Sequence, residues 1–301
     1  MPIPPAPASG IPAPVDRIRL LPSGIDPHKV KRSFARAAGS FDGADFLQTE
    51  VRNRLLDRLK WLRLEPERVL DLGAGTGRAL PGLAAHFPAA ELIALDLTED
   101  MLRVAARREG VSPLLICGNA SRLPLADASV DVVFSSLMIH WSTSLDSLFA
   151  EVRRVLRYPG VFSFATLGPG SFRELREAWQ AVDDGAHVMP FPEMTALGSG
   201  LLRAGLAEPV IDVETLTICY QDLRQLTSDL RGTGTTNPNS SRSRGLTGRR
   251  SWARLEAAYS KLRDANGALP VTLEMVFGSV WAKPTAQTGS QLLDAGSSRS
   301  I

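Results

Sequence analysis

The chain has 301 residues, 44% of them hydrophobic and 22% charged, with a formal net charge of +2. That balance fits one large soluble domain, or a domain with a substantial insert, and excludes a fibrous, wholly disordered or strongly basic nucleic-acid-binding chain. No apolar run has transmembrane length, and the first residues lack the charged-then-apolar pattern of a signal peptide.

Two cysteines, Cys117 and Cys219, fall in apolar strand-like runs and form neither a disulfide framework nor a metal spacing. The expectation is a cytoplasmic protein with buried, inert thiols, no metal, and no nucleic-acid or membrane partner.

Residues 1–24 hold seven prolines and few large apolar groups, which predicts an extended or disordered tail. Asp26–Phe41 reads as helical, with Val30 and Phe34 on one face. Asp45–Leu62 continues it: Leu47, Val51, Leu55 and Leu59 recur every four residues, with Arg52, Arg54 and Arg58 between them as a solvated face.

Five strands are predicted at Arg68–Leu72, Glu91–Leu95, Pro113–Cys117, Val130–Ser136 and Val161–Thr166. Helices at Thr76–His86, Thr98–Arg108 and Leu145–Arg157 separate most of them. Strands alternating with helices predict an α/β, doubly wound, mostly parallel sheet that binds ligands at the carboxyl ends of its strands.

Further along, helices are expected at Ser171–Val182, Pro192–Ala204, Asp222–Leu230 and Gly248–Arg263. Pro209–Tyr220 and Thr272–Trp281 read as strands, bringing the sheet to about seven. The domain is expected over 25–284, with a helical cap at 25–64, a lid or substrate region at about 170–265, and a fraying tail at 285–301.

The first strand ends in Asp71-Leu72-Gly73-Ala74-Gly75-Thr76-Gly77. Glycines at alternate positions let the backbone turn sharply and approach a ligand closely. The spacing is not the dinucleotide fingerprint, because position 78 is Arg78. Asp96 closes the second strand, 25 residues after Asp71, near the spacing at which an acid meets ribose hydroxyls. A helix cap is the other reading of Asp96.

Asn119 and Ala120 follow the third strand, and Ser135 lies at the end of the fourth. Asp71–Gly77, Asp96, Asn119 and Ser135–Trp141 therefore converge on one end of the sheet. Asn119 is either a contact to an adenine edge or a turn residue. Leu97 and Met101 follow Asp96, and Met101 is either an adenine wall or helix core. His140 is either a base, a substrate contact, or a packed residue with one hydrogen bond.

Residues 231–250 carry five arginines (Arg231, Arg242, Arg244, Arg249, Arg250) and no acid. Arginine forks match carboxylate and phosphate, whereas no aromatic interleaves them as nucleic-acid binding would require.

The glycine loop, Asp96, Gly118-Asn119-Ala120 and Leu123-Pro124 resemble the S-adenosylmethionine-binding motifs of class I methyltransferases, which have a Rossmann-like sheet. More specific segments are Arg32–Ala38, Asp45–Gln48, Ser135–Trp141, Phe172–Leu175, Val182-Asp183, His187, Asp229–Gly234, Gly245–Arg249 and Glu274–Trp281. Together they are similar to the malonyl-acyl-carrier-protein O-methyltransferase family of biotin synthesis, over about Asp26 to Lys283.

The resemblance implies S-adenosylmethionine as cofactor and a malonyl thioester on an acyl carrier protein as substrate and partner, its free carboxylate becoming a methyl ester. It implies cofactor contacts from Asp71, Gly73, Gly75, Gly77, Asp96, Leu97, Met101, Asn119, Ala120 and Ser135. A substrate carboxylate needs a cation, for which Arg231 is the first expectation and Arg249 the second. His140 completes the set as a base or substrate contact.

The chain departs from the family at Phe41, commonly Tyr, at Asn119, commonly Asp, and at Tyr158-Pro159-Gly160, commonly a Pro-Gly-Gly turn. A sibling branch associated with protein arginine hydroxylation in complex I assembly shares several motifs. A non-catalytic S-adenosylmethionine-binding assembly module and a small-molecule methyltransferase are further readings.

Overall fold

In the computed structural model, which describes residues 24–242 and 247–284, Val69, Leu70 and Leu72 of the strand β1 (Arg68–Leu72) are fully buried. Such continuous burial arises when strands flank a strand and helices cover both its faces. The other strands are β2 (Glu91–Asp96), β3 (Leu114–Cys117), β4 (Val130–Ser136), β5 (Leu156–Leu167), β6 (Leu206–Tyr220) and β7 (Leu269–Ala282). They form one sheet in the order β3-β2-β1-β4-β5-β7-β6. β1 to β5 pair in parallel, and β7 runs antiparallel between β5 and β6. Strand order reverses between β1 and β4, so a crevice opens beyond their carboxyl ends.

The helices are α1 (Pro27–Ala37), α2 (Phe46–Leu59), α3 (Leu80–His86), α4 (Glu99–Ala105), α5 (Leu145–Val155), α6 (Arg173–Gln180), α7 (Met194–Arg203), α8 (Leu223–Gly232) and α9 (Arg249–Ser260). On one side of the sheet, Val51, Leu55 and Leu59 of α2 pack in a cluster with Leu80, Leu83 and Tyr259. On the other, Phe149 and Val152 of α5 meet Leu197 and Leu201 of α7. Each fully buried leucine contributes about 2 kcal/mol of apolar burial.

α1 starts cleanly because the Asp26 carboxylate accepts the Lys29 N–H at 3.0 Å and Pro27 occupies the first turn.

Several expectations are corrected. The helix expected from Thr76 begins at Leu80, because Gly75 and Gly77 hold φ of +54° and +76°, which no right-handed helix accepts. The helix expected to reach Arg157 ends at Val155, and β5 starts at Leu156. Both cysteines are exposed, since β3 and β6 are the edges of the sheet.

The α2 arginines are not a solvated face. Arg52 is buried against Asp45 at 3.4 Å. Arg54 reaches Glu214 at 3.0 Å, and Arg58 pairs with Asp212 and Glu214 while lying 3.7 Å over the Phe277 ring. Within 170–265, β6 belongs to the sheet and α7 packs against its far side, so only part of that span stands over the crevice. The expected tails, 1–24 and 285–301, fall outside the described residues apart from Gly24.

Among the described residues, no helix is long and apolar enough to cross a membrane, and no group of three His, Cys, Asp or Glu is placed to hold a metal.

Candidate active site

The glycine turn after β1 is held by the strand beside it. Gly73 and Ala74 donate their N–H groups to the Leu95 carbonyl at 2.8 and 3.0 Å. Gly75 donates to Asp96 Oδ2 at 2.9 Å. The other carboxylate oxygen, Oδ1, accepts from the Thr98 N–H at 2.8 Å and its hydroxyl at 2.9 Å. Asp96 thus fixes both the loop and the start of α4. Burial pushes its carboxyl upward, against the bonds from Thr98 and Gly75 that favour the anion. Gly73 has φ +82°, and a Cβ there would stand 2.3 Å from Met138 Cγ, so only glycine fits the close approach.

These groups open on a cavity of about 160 Å³. Of the residues singled out in the sequence, Gly73, Gly75, Asp96, Leu97, Met101, Asn119, Ala120 and His140 line it. Met101 borders the cavity and also packs among Ala37, Ala38 and Phe41. Asn119 is also both wall and turn, since its Oδ1 accepts the Ser121 N–H at 2.9 Å.

His140 is buried, with Nδ1 2.9 Å from Thr166 Oγ1 and its ring against Trp141 and Phe191. Burial pushes the imidazole down to about 3, so it stays neutral near pH 7.

Five predicted residues do not line the cavity. Asp71 is buried beneath the turn, and desolvation, followed by the Asp96 charge, pushes it up to about 7 against the pull of Arg52. Gly77 packs against Ala105 and Leu80. Ser135 is fully buried and donates to the Leu72 carbonyl at 2.8 Å, while its neighbour Ser136 faces the cavity. Arg231 ends α8 and Arg249 opens α9, both exposed. Among the described wall residues there is no lysine or arginine.

The sequence predicts a helical cap at 25–64 without assigning its side chains to a cavity. Pro27, Val30 and Phe34 of α1 line the cavity, joined by Phe41, Leu47, Gln48 and Thr235. Phe34 meets Trp141 edge to face, 5.2 Å between centroids. Asp42 ties the roof to the floor by accepting the Thr76 hydroxyl at 2.6 Å and pairing with Arg108.

Gln48 Oε1 is buried on this wall without a hydrogen-bond partner. An amide oxygen left in that state costs about 1–3 kcal/mol. The signal for it lay in Asp45–Gln48, whose spacing alone assigns no role. Leu137, also on the wall, holds a left-handed φ of +54°, a strained conformation for leucine.

A family profile described as a methyltransferase domain matches residues 70–164. The chain is 41% identical over 279 residues to the malonyl-[acyl-carrier protein] O-methyltransferase of Laribacter hongkongensis, covering 89% of this chain and 93% of that one. It is 41% identical over 265 residues to the protein of the same name from Gallionella capsiferriformans, covering 85% and 91%. The solved structure of the YcgJ protein from Bacillus subtilis superposes with a TM-score of 0.57 at 20% identity, covering 79% of this chain and 100% of that one. At that identity the likeness concerns the fold.

Proposed function

This chain belongs to the malonyl-[acyl-carrier protein] O-methyltransferase family, and on that premise we propose how its cavity serves that activity. The enzyme is an S-adenosylmethionine-dependent methyltransferase, and its reaction turns the free carboxylate of a malonyl thioester into a methyl ester. Nothing in these relatives favours the assembly-factor or hydroxylase reading. In the same reading the thioester is borne by an acyl carrier protein, the enzyme works in the cytoplasm, and the step stands early in biotin synthesis.

The observation that carries the reading is the convergence of the glycine turn, Asp96 and the unpartnered Gln48 oxygen on one cavity. When bound, S-adenosylmethionine supplies a methyl group activated on a sulfonium. The residues present fit it. Asp96 Oδ2, which accepts the Gly75 N–H, keeps a second lone pair for a ribose hydroxyl, Leu97, Met101 and Ala120 offer apolar walls to adenine, and Asn119 offers an amide to its edge. Gly73 and Gly75 let the backbone come close, with Gly77 and Asp71 shaping the turn from behind and Ser135 fixing β4 beside it. Gln48 Oε1 needs a donor, and a cofactor ammonium is one.

A malonyl carboxylate has a pKa near 4 and is already an anion at neutral pH, so no base has to remove a proton. A neutral His140 held by Thr166 suits this chemistry: it shapes the cavity and excludes water. The task left to the protein is placement of the carboxylate oxygen, which is proximity catalysis. Because the described wall holds no cation, the clamp has to reach in from the rim. Arg231, four residues before the wall residue Thr235, remains the first candidate and Arg249 the second.

The test is transfer of labelled methyl from S-adenosylmethionine to malonyl-carrier protein, with acetyl-carrier protein as control, for wild type and Arg231→Ala. Base-labile label on malonyl alone, lost in the variant, is expected. Cofactor binding with no transfer to malonyl would overturn the proposal.

A further inference from the structure

Two segments far apart in the chain lie side by side over the cavity. Asp26 N–H donates to the Pro238 carbonyl at 3.0 Å, and Lys29 Nζ to the Asn237 carbonyl at 2.6 Å. The Ser33 and Thr236 hydroxyls are 3.0 Å apart, and Ser40 Oγ donates to the Gly232 carbonyl at 2.9 Å. Together 27–40 and 231–242 form one ribbon.

Between these bounds the ribbon carries Lys29, Lys31, Arg32, Arg36, Arg231 and Arg242 and neither Asp nor Glu, while Asp26 at its edge puts one acid beside Lys29, Arg32 and Arg242. With a net charge of +2 for the whole chain, the remainder is net acidic. Elsewhere some arginines are matched, as Arg58 is with Asp212 and Arg154 with Asp127, while others, such as Arg63 and Arg107, make no ion pair among the described residues. The six ribbon cations make no ion pair among the described residues; Lys29 and Arg242 bond only main-chain carbonyls. Burial first, then the Arg242 charge, holds the Lys29 ammonium below its ordinary value, against the Asp26 carboxylate that favours it.

Helical geometry separates two faces of α1. Val30 and Phe34 turn into the cavity, whereas Lys31, Arg32 and Arg36 are exposed. The charged face is therefore about one helix diameter, roughly 10 Å, from the site.

We propose that this ribbon is the docking surface for the carrier protein, which meets it with an acidic face and is seated so that its acyl arm enters beside α1. The proposal rests on the function given above and adds where the partner binds. Charge complementarity selects the occupant: six like charges against the single acid Asp26 favour an acidic protein surface and speed its encounter. A lipid surface would call for exposed large apolar groups, and none of those in the structure lies in either segment. A single-stranded nucleic acid would call for stacking aromatics, and the ribbon's one aromatic, Phe34, is spent on Trp141.

The test is the double variant Arg32→Glu/Arg36→Glu, read two ways. Fluorescence anisotropy measures binding of labelled malonyl-carrier protein. Methyl transfer gives KM for malonyl-carrier protein and for malonyl-pantetheine, a thioester without the protein. Carrier affinity should fall about tenfold or more at low salt. KM for malonyl-pantetheine and the affinity for S-adenosylmethionine should stay put, and the salt dependence of carrier binding should flatten.

Unchanged carrier binding would overturn the proposal, as would an equal rise in KM for both thioesters. It would also fail if the variant lost binding to phosphatidylglycerol vesicles while keeping the carrier. If wild type binds carrier through these arginines yet methylates neither thioester, the ribbon stands and the methyl-ester reading falls.

Discussion

The carboxylate of Asp96 accepts the backbone N–H of Gly75 at 2.9 Å. The acid that closes β2 thereby grips the turn that closes β1, and one side chain sets the spacing of both. Asp96→Asn should lose at least one of three accepted bonds and about 1–3 kcal/mol, since the acceptor is charged. Affinity for S-adenosylmethionine, measured by titration calorimetry, should fall at least tenfold with a lowered Tm. An unchanged Kd would remove Asp96 from the cofactor site.

Gln48 separates stability from binding. Gln48→Leu deletes an amide oxygen that has no partner in the described structure, so Tm without cofactor should hold or rise. Cofactor affinity should drop about tenfold, the loss of one hydrogen bond to a charged donor. A lower Tm with normal affinity would make Gln48 a structural residue only.

Asp71 sets a pH dependence. Its folded value of about 7 stands above the ordinary carboxylate value, because burial disfavours the anion. Protonated Asp71 is thus favoured by the fold. Stability linked to it is fully present below about pH 4 and is lost as pH rises from there through about 7. Chemical denaturation of wild type and Asp71→Asn across that window should show a slope that the variant lacks. Parallel curves would refute the assignment.

His140, pushed down to about 3, carries no titration between pH 5 and 8. The pH profile of kcat should therefore be flat through the normal histidine range near 6.5. A bell with a limb near 6.5 that disappears in His140→Gln would restore His140 as a base.

Gly234 tests the roof. It holds φ +73°, and a Cβ would meet the Ser33 carbonyl oxygen at 2.9 Å, whereas Gly110 holds φ +76° with nothing within 4 Å. Alanine at either position should cost about 1–2 kcal/mol for the left-handed backbone. Only Gly234→Ala should also pry 232–239 from α1 and raise the carrier KM. Equal kinetics for the two variants would show that the ribbon contact does not matter.

Much of the cavity was readable in the chain. Gly73, Gly75 and Asp96 announce themselves because a sharp strand-to-helix turn and a terminal acid have local signatures. The arginines did not. Arg52, Arg54 and Arg58 all lie between the apolar positions of one helix, yet the first is buried against Asp45 and the others reach β6, more than 150 residues away.

Local pattern therefore determined the order of strands and helices, the glycine turn and the acid beside it, since periodicity and backbone freedom are properties of neighbouring residues. Tertiary structure alone decided which side chains of the cap form the roof, the exposure of Cys117 and Cys219 on edge strands, and which cations remain unmatched. The physical reason is separation: Ser33 meets Thr236 across 203 residues, and no local preference encodes such a contact. It exists because closing the sheet brings both segments to the same mouth.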